Sequence, residues 1–180
     1  MAQNAAVRKL NDRELAVRFQ LEVWHGQTAR LSELLYEIPD ERLLDEVSPG
    51  RNSGLYIVGH LAAVNDGLLP LFGFGERRFP DLEDAFLKNP ESAPVERPTA
   101  GEVRRVWAEL LGVLRENFDA LTADEWFDKH TAVSDEDFKN EPHRNRLNVL
   151  MNRTNHLSYH LGQLTLLKSR AEDQPATVAG

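Results

Sequence analysis

From Leu15 onward the apolar residues Leu15, Phe19, Leu21, Trp24, Leu31, Leu34 and Leu35 return at approximately helical spacing, as on one face of a 3.6-residue helix. Asn11 stands three residues before Glu14 and reads as a cap, so the pattern predicts one long helix over Asp12 to Glu37. Pro39 interrupts it, and the stretch from Asp40 to Leu44 predicts a short extra turn before the Pro49-Gly50 break. A second helix opens at Asn52 or Ser53, both good cap residues. Its stripe is Ile57, Leu61, Val64 and Leu68, and it runs through His60 to about Leu69, where Pro70 should end or kink it.

Between Phe72 and Pro98 the pattern dissolves. Gly73, Gly75, Pro80, Pro90, Pro94 and Pro98 punctuate the segment, and a connection this long is a crossover, a binding loop or a lid. A single turn is expected within it, over Leu82 to Leu87. Thr99 and Glu102 then form a capping-box pair, and Val103, Val106, Trp107, Leu110, Leu114 and Phe118 supply the stripe of a third long helix. Thr122 and Glu125 repeat the cap for a short helix, Asp128 to Pro142 reads as a polar loop, and a fourth long helix is predicted over roughly Arg144 to Arg170. Four long helices without an alternating strand pattern argue for an all-α fold, a four-helix bundle with a long crossover loop between helices 2 and 3. Residues 1–170 make one domain, and the small, polar tail over 171–180 is expected to be disordered.

Composition narrows the chemistry. The 180 residues contain no cysteine, which removes disulfides, thiolate zinc sites, iron–sulfur clusters and a cysteine nucleophile. A metal here must use imidazole, carboxylate or water. Twenty-one Lys and Arg against 29 Asp and Glu give a net charge of −8, which disfavours nucleic acid and anionic membranes and favours small molecules or proteins as partners. The first residues lack the features of a signal peptide, and no stretch approaches the ~18 apolar residues of a membrane span, so a cytoplasmic protein is expected. Acids dominate Arg115 to Glu141 and bases dominate Glu141 to Arg170; these read as solvated faces with weak, screened pairs.

Against this background the histidines are the informative residues. His156 and His160, four apart in the fourth helix, share a face about 40° wide and are separated by roughly 6 Å along the axis. That spacing can hold a metal. The pair lies beside the core stripe of Leu147, Leu150, Leu157, Leu161 and Leu164, bracketed by Val149 and Leu167, which suits a cation at the edge of a dry core. A third ligand has its best candidate in His60, which borders the stripe of the second helix. Three imidazoles from two helices could converge into a facial N3 site with positions left for water or substrate, the catalytic type of site. Six histidines produce a pair at spacing four about one time in six by composition alone, so position and context, rather than spacing, carry the assignment.

Other motifs fail. Leu157 follows His156, so this is no zinc-protease motif; Gly73-Phe74-Gly75 follows a helix and is no dinucleotide loop; and no serine sits in a nucleophile elbow. His25, His130 and His143 read as surface or structural residues.

The chain resembles the DinB/YfiT-like superfamily of metalloenzymes. The resemblance rests on Asn52-Ser53, on Gly59-His60-Leu61, and on the run Asn155-His156-Leu157-Ser158-Tyr159-His160-Leu161-Gly162-Gln163. It covers most of Asp12 to Lys168. It implies a four-helix bundle, often dimeric, in which His60, His156 and His160 hold a divalent metal. Many relatives have an acidic residue and a further histidine where this chain has Leu157 and Tyr159; these departures spare the ligands and touch any proton relay. Tyr159 lies about 100° from His160 on the wheel and reads as a packing residue. Characterised relatives include transferases and isomerases that use low-molecular-weight thiols, and some members are described as hydrolases.

Two functions follow. The first is a metalloenzyme, with zinc or nickel, that activates a metal-bound water or thiol and acts on a small-molecule substrate. The alternative is a noncatalytic bundle with a structural or interaction role, whose closed site would take a fourth ligand from Glu76 or Asp66. An all-histidine site should lose affinity as pH drops through about 6.

Overall fold

The structure, a computed structural model, describes residues 9–172, with side chains through Lys168. It is all-α: among the described residues there are no strands, only two isolated β-bridges, Glu46 with Ser53 and Lys129 with Asn145. The tail expectation lies outside the described residues from position 173 on, whereas Ala171 and Glu172 still belong to the last helix.

The first helix, α1 (Asp12–Glu37), has the bounds read from the sequence, and its capping box is formed by Asn11 and Glu14. Ile38 closes it through an N–H bond to the Leu34 carbonyl, 3.1 Å, with Pro39 next. A single turn, α2 (Asp40–Leu43), precedes the loop that Ser53 ends by capping α3 (Gly54–Asp66). Helix α3 is buried nearly all round, through Ile57, Val58, Gly59, Leu61, Ala62 and Ala63, as an almost wholly apolar helix must be.

The expected kink at Pro70 occurs earlier. Proline has no N–H, and its ring collides with the carbonyl four residues back. The chain breaks at Gly67, whose N–H still reaches the Ala63 carbonyl, and a new short helix, α4 (Leu68–Phe72), starts at once. Pro70 then sits in a first turn, where N–H groups have no helical acceptor anyway. Asp66, fully buried, accepts bonds from the backbone N–H groups of Arg78 (2.9 Å) and Phe79 (3.3 Å), with the Arg77 guanidinium 3.8 Å away. The start of the long connection is thereby tied back onto α3.

That connection is more ordered than its proline content suggested. The single turn expected at Leu82 to Leu87 is α5 (Asp81–Glu83) running directly into a π-helical turn, Asp84–Lys88. Beyond it Arg97 acts as a clamp, donating to the carbonyls of Ala85 (3.0 Å), Pro90 (2.7 Å) and Glu91 (3.1 Å) and lying 5.3 Å over the Tyr56 ring. The Tyr56 hydroxyl donates to the Asn89 carbonyl at 2.7 Å, and the Glu91 carboxylate accepts from both the backbone and the hydroxyl of Ser53.

Thr99 and Glu102 cap α6 (Ala100–Ala120), and Thr122 and Glu125 cap α7 (Ala123–Trp126), both as capping boxes. The polar stretch read as loop contains α8 (Asp135–Asn140), capped by Ser134 and burying nothing. It has no apolar stripe, so hydrophobic periodicity could not find it. The last helix, α9 (Arg146–Glu172), is shifted two residues from the expected span.

The four long helices contact one another in a closed circuit: α1 with α9, α9 with α3, α3 with α6, and α6 with α1. Trp24, Phe118 and Trp126 stack edge to face, with Phe72 against Phe118 and Trp126, so one aromatic cluster joins α1, α4, α6 and α7. Gly54 lets α9 come close to α3, since a Cβ there would stand 2.5 Å from Leu167 Cδ1.

One expectation needs correcting. The segment Gly54–Phe72 is long and apolar enough to cross a membrane by length and composition, with a mean hydropathy of 1.4, but 67% of it is buried inside the protein. Its apolar surface is used by the neighbouring helices, as in the central helix of a packed core.

Candidate metal centre

Helices α3 and α9 cross with His60 on one and His156 and His160 on the other, and the three imidazoles meet. The His156 Nε2 atom lies 3.2 Å from His60 Nε2 and 3.0 Å from His160 Nε2. The three candidate ligand atoms are all within 4.8 Å of one another. A shared zinc at about 2.0–2.1 Å from each nitrogen requires neighbouring nitrogens about 3–3.4 Å apart. The two separations at His156 fit, and the third pair lies within 4.8 Å.

The outer nitrogens decide which way the lone pairs face. His60 Nδ1 is 3.2 Å from the Phe86 carbonyl oxygen, which can only accept, so Nδ1 carries the proton and Nε2 keeps its lone pair. His160 Nδ1 donates to Gln163 Oε1 at 2.7 Å, with the same result, and Gln163 is held in that orientation by donating from Nε2 to the Tyr159 hydroxyl at 3.3 Å. Two lone pairs thus point at His156 Nε2. A single N–H on His156 can satisfy one of them, whereas one cation satisfies all three rings together. His156 Nδ1 is buried and without a hydrogen-bond partner among the described residues.

Electrostatics favour the same neutral forms. Burial, then repulsion from His160, His60 and Arg153, lowers the His156 pKa to about 4. Burial also lowers that of His160, against the bond to Gln163, which raises it. The expected pH window shifts accordingly, because protons compete for these two rings only below the ordinary imidazole range near 6.5. Titration of the metal-free protein, followed by histidine ring NMR, should place His156 near 4. The stability sign follows: a folded-state pKa below the unfolded one means that the unfolded chain binds the proton first, so metal-free protein loses stability as pH falls from about 6.5 towards 4. Urea unfolding at pH 7 and pH 5 checks this, and equal midpoints would contradict it.

The connecting segment takes part in the site. The π-helical turn Asp84–Lys88 aims the Phe86 carbonyl at His60 and lays the Phe86 ring over Gly59, where a Cβ would come within 2.3 Å of ring carbons. Such turns recur at functional sites because the extra residue re-aims a carbonyl or side chain. A cleft of about 260 Å³ lined by Tyr56, His60, Phe86, Leu87 and His160 opens beside the histidines, and a second of about 260 Å³ is walled by Arg51, Asn52, Tyr159, His160 and Gln163. Tyr159 is 64% exposed, so the packing role expected for it is replaced by a place on the cleft wall.

The other candidates stay apart. Asp66 is committed to Arg78 and Phe79, and Glu76 is exposed; neither joins the histidines. His25 packs edge-on to Trp24 at 5.1 Å, His130 is half-buried near the end of α7, and His143 is exposed. Sequence reasoning missed Phe86 and Gln163 as the groups that set the two tautomers. Gln163 could have been found, three residues beyond His160 on the same helix; a backbone carbonyl 26 residues from His60 leaves no mark in the sequence.

A convergent N3 site between two helices of an all-α protein, compatible with binding a divalent metal, defines the class. Residues 23–164 match the DinB superfamily, and the chain belongs to it. No curated protein matches the chain.

Proposed function

We propose that His60, His156 and His160 hold one divalent cation, zinc or nickel, in a metalloenzyme of the thiol-transfer or hydrolytic type. The observation that carries this reading is the convergence of three imidazole nitrogens, two with lone pairs fixed inward from behind, beside open clefts and with no carboxylate grouped with them among the described residues. When bound, the cation supplies Lewis acidity that lowers the pKa of a water or a low-molecular-weight thiol cosubstrate towards neutrality. The chain's own residues do the rest. The Phe86 carbonyl and Gln163 orient two rings, Ile57 gives both clefts an apolar wall, and the clefts at Tyr56 and Asn52 receive a small-molecule substrate.

The circuit of long-helix contacts supports reading the fold as a four-helix bundle of the DinB/YfiT type, with residues 73–98 as the crossover between its second and third helices. The same reading has a cytoplasmic protein, a homodimer as in many relatives, and no nucleic-acid or membrane partner, in keeping with the net charge of −8. The structural alternative needs a closed site; Asp66 is committed to Arg78 and Phe79, and Glu76 is exposed and outside the histidine cluster, which weighs against it.

Elemental analysis of protein purified without chelators, followed by turnover assays of the metal-loaded protein with several biological thiols and electrophiles, tests the proposal. About one equivalent of zinc or nickel and metal-dependent turnover are expected. Protein that takes up no divalent metal overturns it.

A further inference from the structure

The second cleft at the histidines carries one formal charge among its walls. It is lined by Val47, Arg51, Asn52, Tyr159, His160 and Gln163, with no carboxylate among the described residues of its wall. Arg51 is exposed and has no ion-pair or side-chain hydrogen-bond partner among the described residues. Arg51 also borders a larger neighbouring cleft, which it shares with the carboxylates of Glu46 and Glu91; Glu91 is engaged there by Ser53, and Glu46 accepts from the Gly50 N–H at 2.9 Å. Arg51 follows Gly50, whose φ of +72° makes the turn that only glycine adopts readily, and its own N–H is bonded to the Ser48 carbonyl at 2.9 Å. The guanidinium is therefore carried on a pinned loop at the mouth of the site.

Charge bookkeeping at the centre points the same way. Three neutral imidazoles leave the full charge of a divalent cation uncompensated, which favours an anion among its remaining ligands or neighbours. Arg153, one turn before His156, adds a half-buried guanidinium whose Nε has no partner among the described residues. Neutral donors suited to orienting a carboxylate, the amides of Asn52 and Gln163, share the wall with Arg51.

We infer that this cleft is a subsite for a small organic carboxylate, gripped by Arg51 while the rest of the molecule reaches the histidine centre. The inference rests on the metalloenzyme reading for its role, but not for its geometry. A guanidinium binds a carboxylate in a bidentate fork that lysine cannot reproduce, so the substrate or cosubstrate carries a free carboxylate.

Succinate, inorganic phosphate and the neutral succinamide are the probes, titrated into the full-length protein with and without zinc and followed by amide NMR shifts at Tyr159 and Gln163. Zinc uptake is measured in parallel. Succinate should shift both amides, with affinity at least about 10-fold weaker in Arg51→Gln and only partly restored in Arg51→Lys, while zinc uptake is the same in all three proteins. Succinamide should be without effect. Unchanged succinate affinity in Arg51→Gln, or equal binding of succinamide, overturns the subsite, as does a response to phosphate alone. Failure of zinc uptake in the wild type, with Arg51-dependent succinate binding intact, sinks the metal reading and leaves the subsite standing.

Discussion

Replacing His60 by alanine is expected to weaken zinc binding by about two to three orders of magnitude. Apparent binding energies of about 10–16 kcal/mol for four-ligand zinc sites correspond to roughly 2.5–4 kcal/mol per ligand, and each 1.4 kcal/mol is tenfold. His156→Ala and His160→Ala should fall in the same range, while His25→Ala, His130→Ala and His143→Ala should bind as the wild type does. The His60 variant is the most telling. His60 and His156 are 96 residues apart in sequence and 3.2 Å apart at Nε2, so a shared cation links α3 to α9. In the wild type, zinc at about 1,000 times its Kd should add about 4 kcal/mol of stability, raising Tm by roughly 8–16 °C for a chain of this size. In His60→Ala the remaining pair lies within one helix and has no second helix to fasten, so the zinc-dependent rise should be nearly abolished. Competition titration with a chromophoric chelator and thermal unfolding with and without zinc measure both effects. A His60 variant that binds and responds like the wild type refutes the three-ligand centre.

Much of this was legible before any coordinates, for reasons that differ by residue. Caps were readable because their chemistry is local: Asn11 with Glu14, Thr99 with Glu102 and Thr122 with Glu125 each satisfy orphan N–H groups within three residues. The apolar stripe of α6 was readable because burial selects residues at helical spacing, whereas in α1 the stripe held from Trp24 onward and failed at Phe19, which is 60% exposed while Val17 is buried in its place. His156 and His160 followed from the same geometry, and His60 from its place on a second amphipathic pattern, with the family resemblance selecting this set. What escaped depends on partners distant in sequence. The break at Gly67 instead of Pro70 is chosen jointly by the proline ring and by the carboxylate of Asp66, which is wanted by Arg78 and Phe79. Helix α8 has no buried face to announce it. The ordering of residues 81–97 comes from Arg97 bonding to carbonyls, and carbonyls are the same in every residue.

The lowered His156 pKa shows how such distant contacts alter chemistry that local reading takes as fixed. An isolated imidazole pair would release metal near pH 6. Burial between α3 and α9, with His160, His60 and Arg153 close by, keeps His156 neutral well below that, a form compatible with binding a cation.

Gly59 tests whether the crossover segment belongs to the site. A Cβ at this position would stand 2.3 Å from two carbons of the Phe86 ring, and that ring is only 1% exposed, with Tyr56 edge-on at 5.7 Å. In Gly59→Ala the ring must move, at an expected cost of about 1–3 kcal/mol for overpacking, or roughly 2–12 °C in Tm. Because the Phe86 carbonyl accepts the bond from His60 Nδ1, the same displacement should loosen the ligand and cost about 10–100-fold in zinc affinity, the range for losing a partner behind a metal ligand. Phe86→Leu shortens the side chain that collides while leaving the carbonyl in the chain. The double variant Gly59→Ala/Phe86→Leu should therefore recover both stability and zinc affinity relative to Gly59→Ala, giving a non-additive cycle. If the two changes add independently, or if Gly59→Ala destabilises the protein with zinc affinity untouched, the segment is only a crossover and the carbonyl of Phe86 does not position His60.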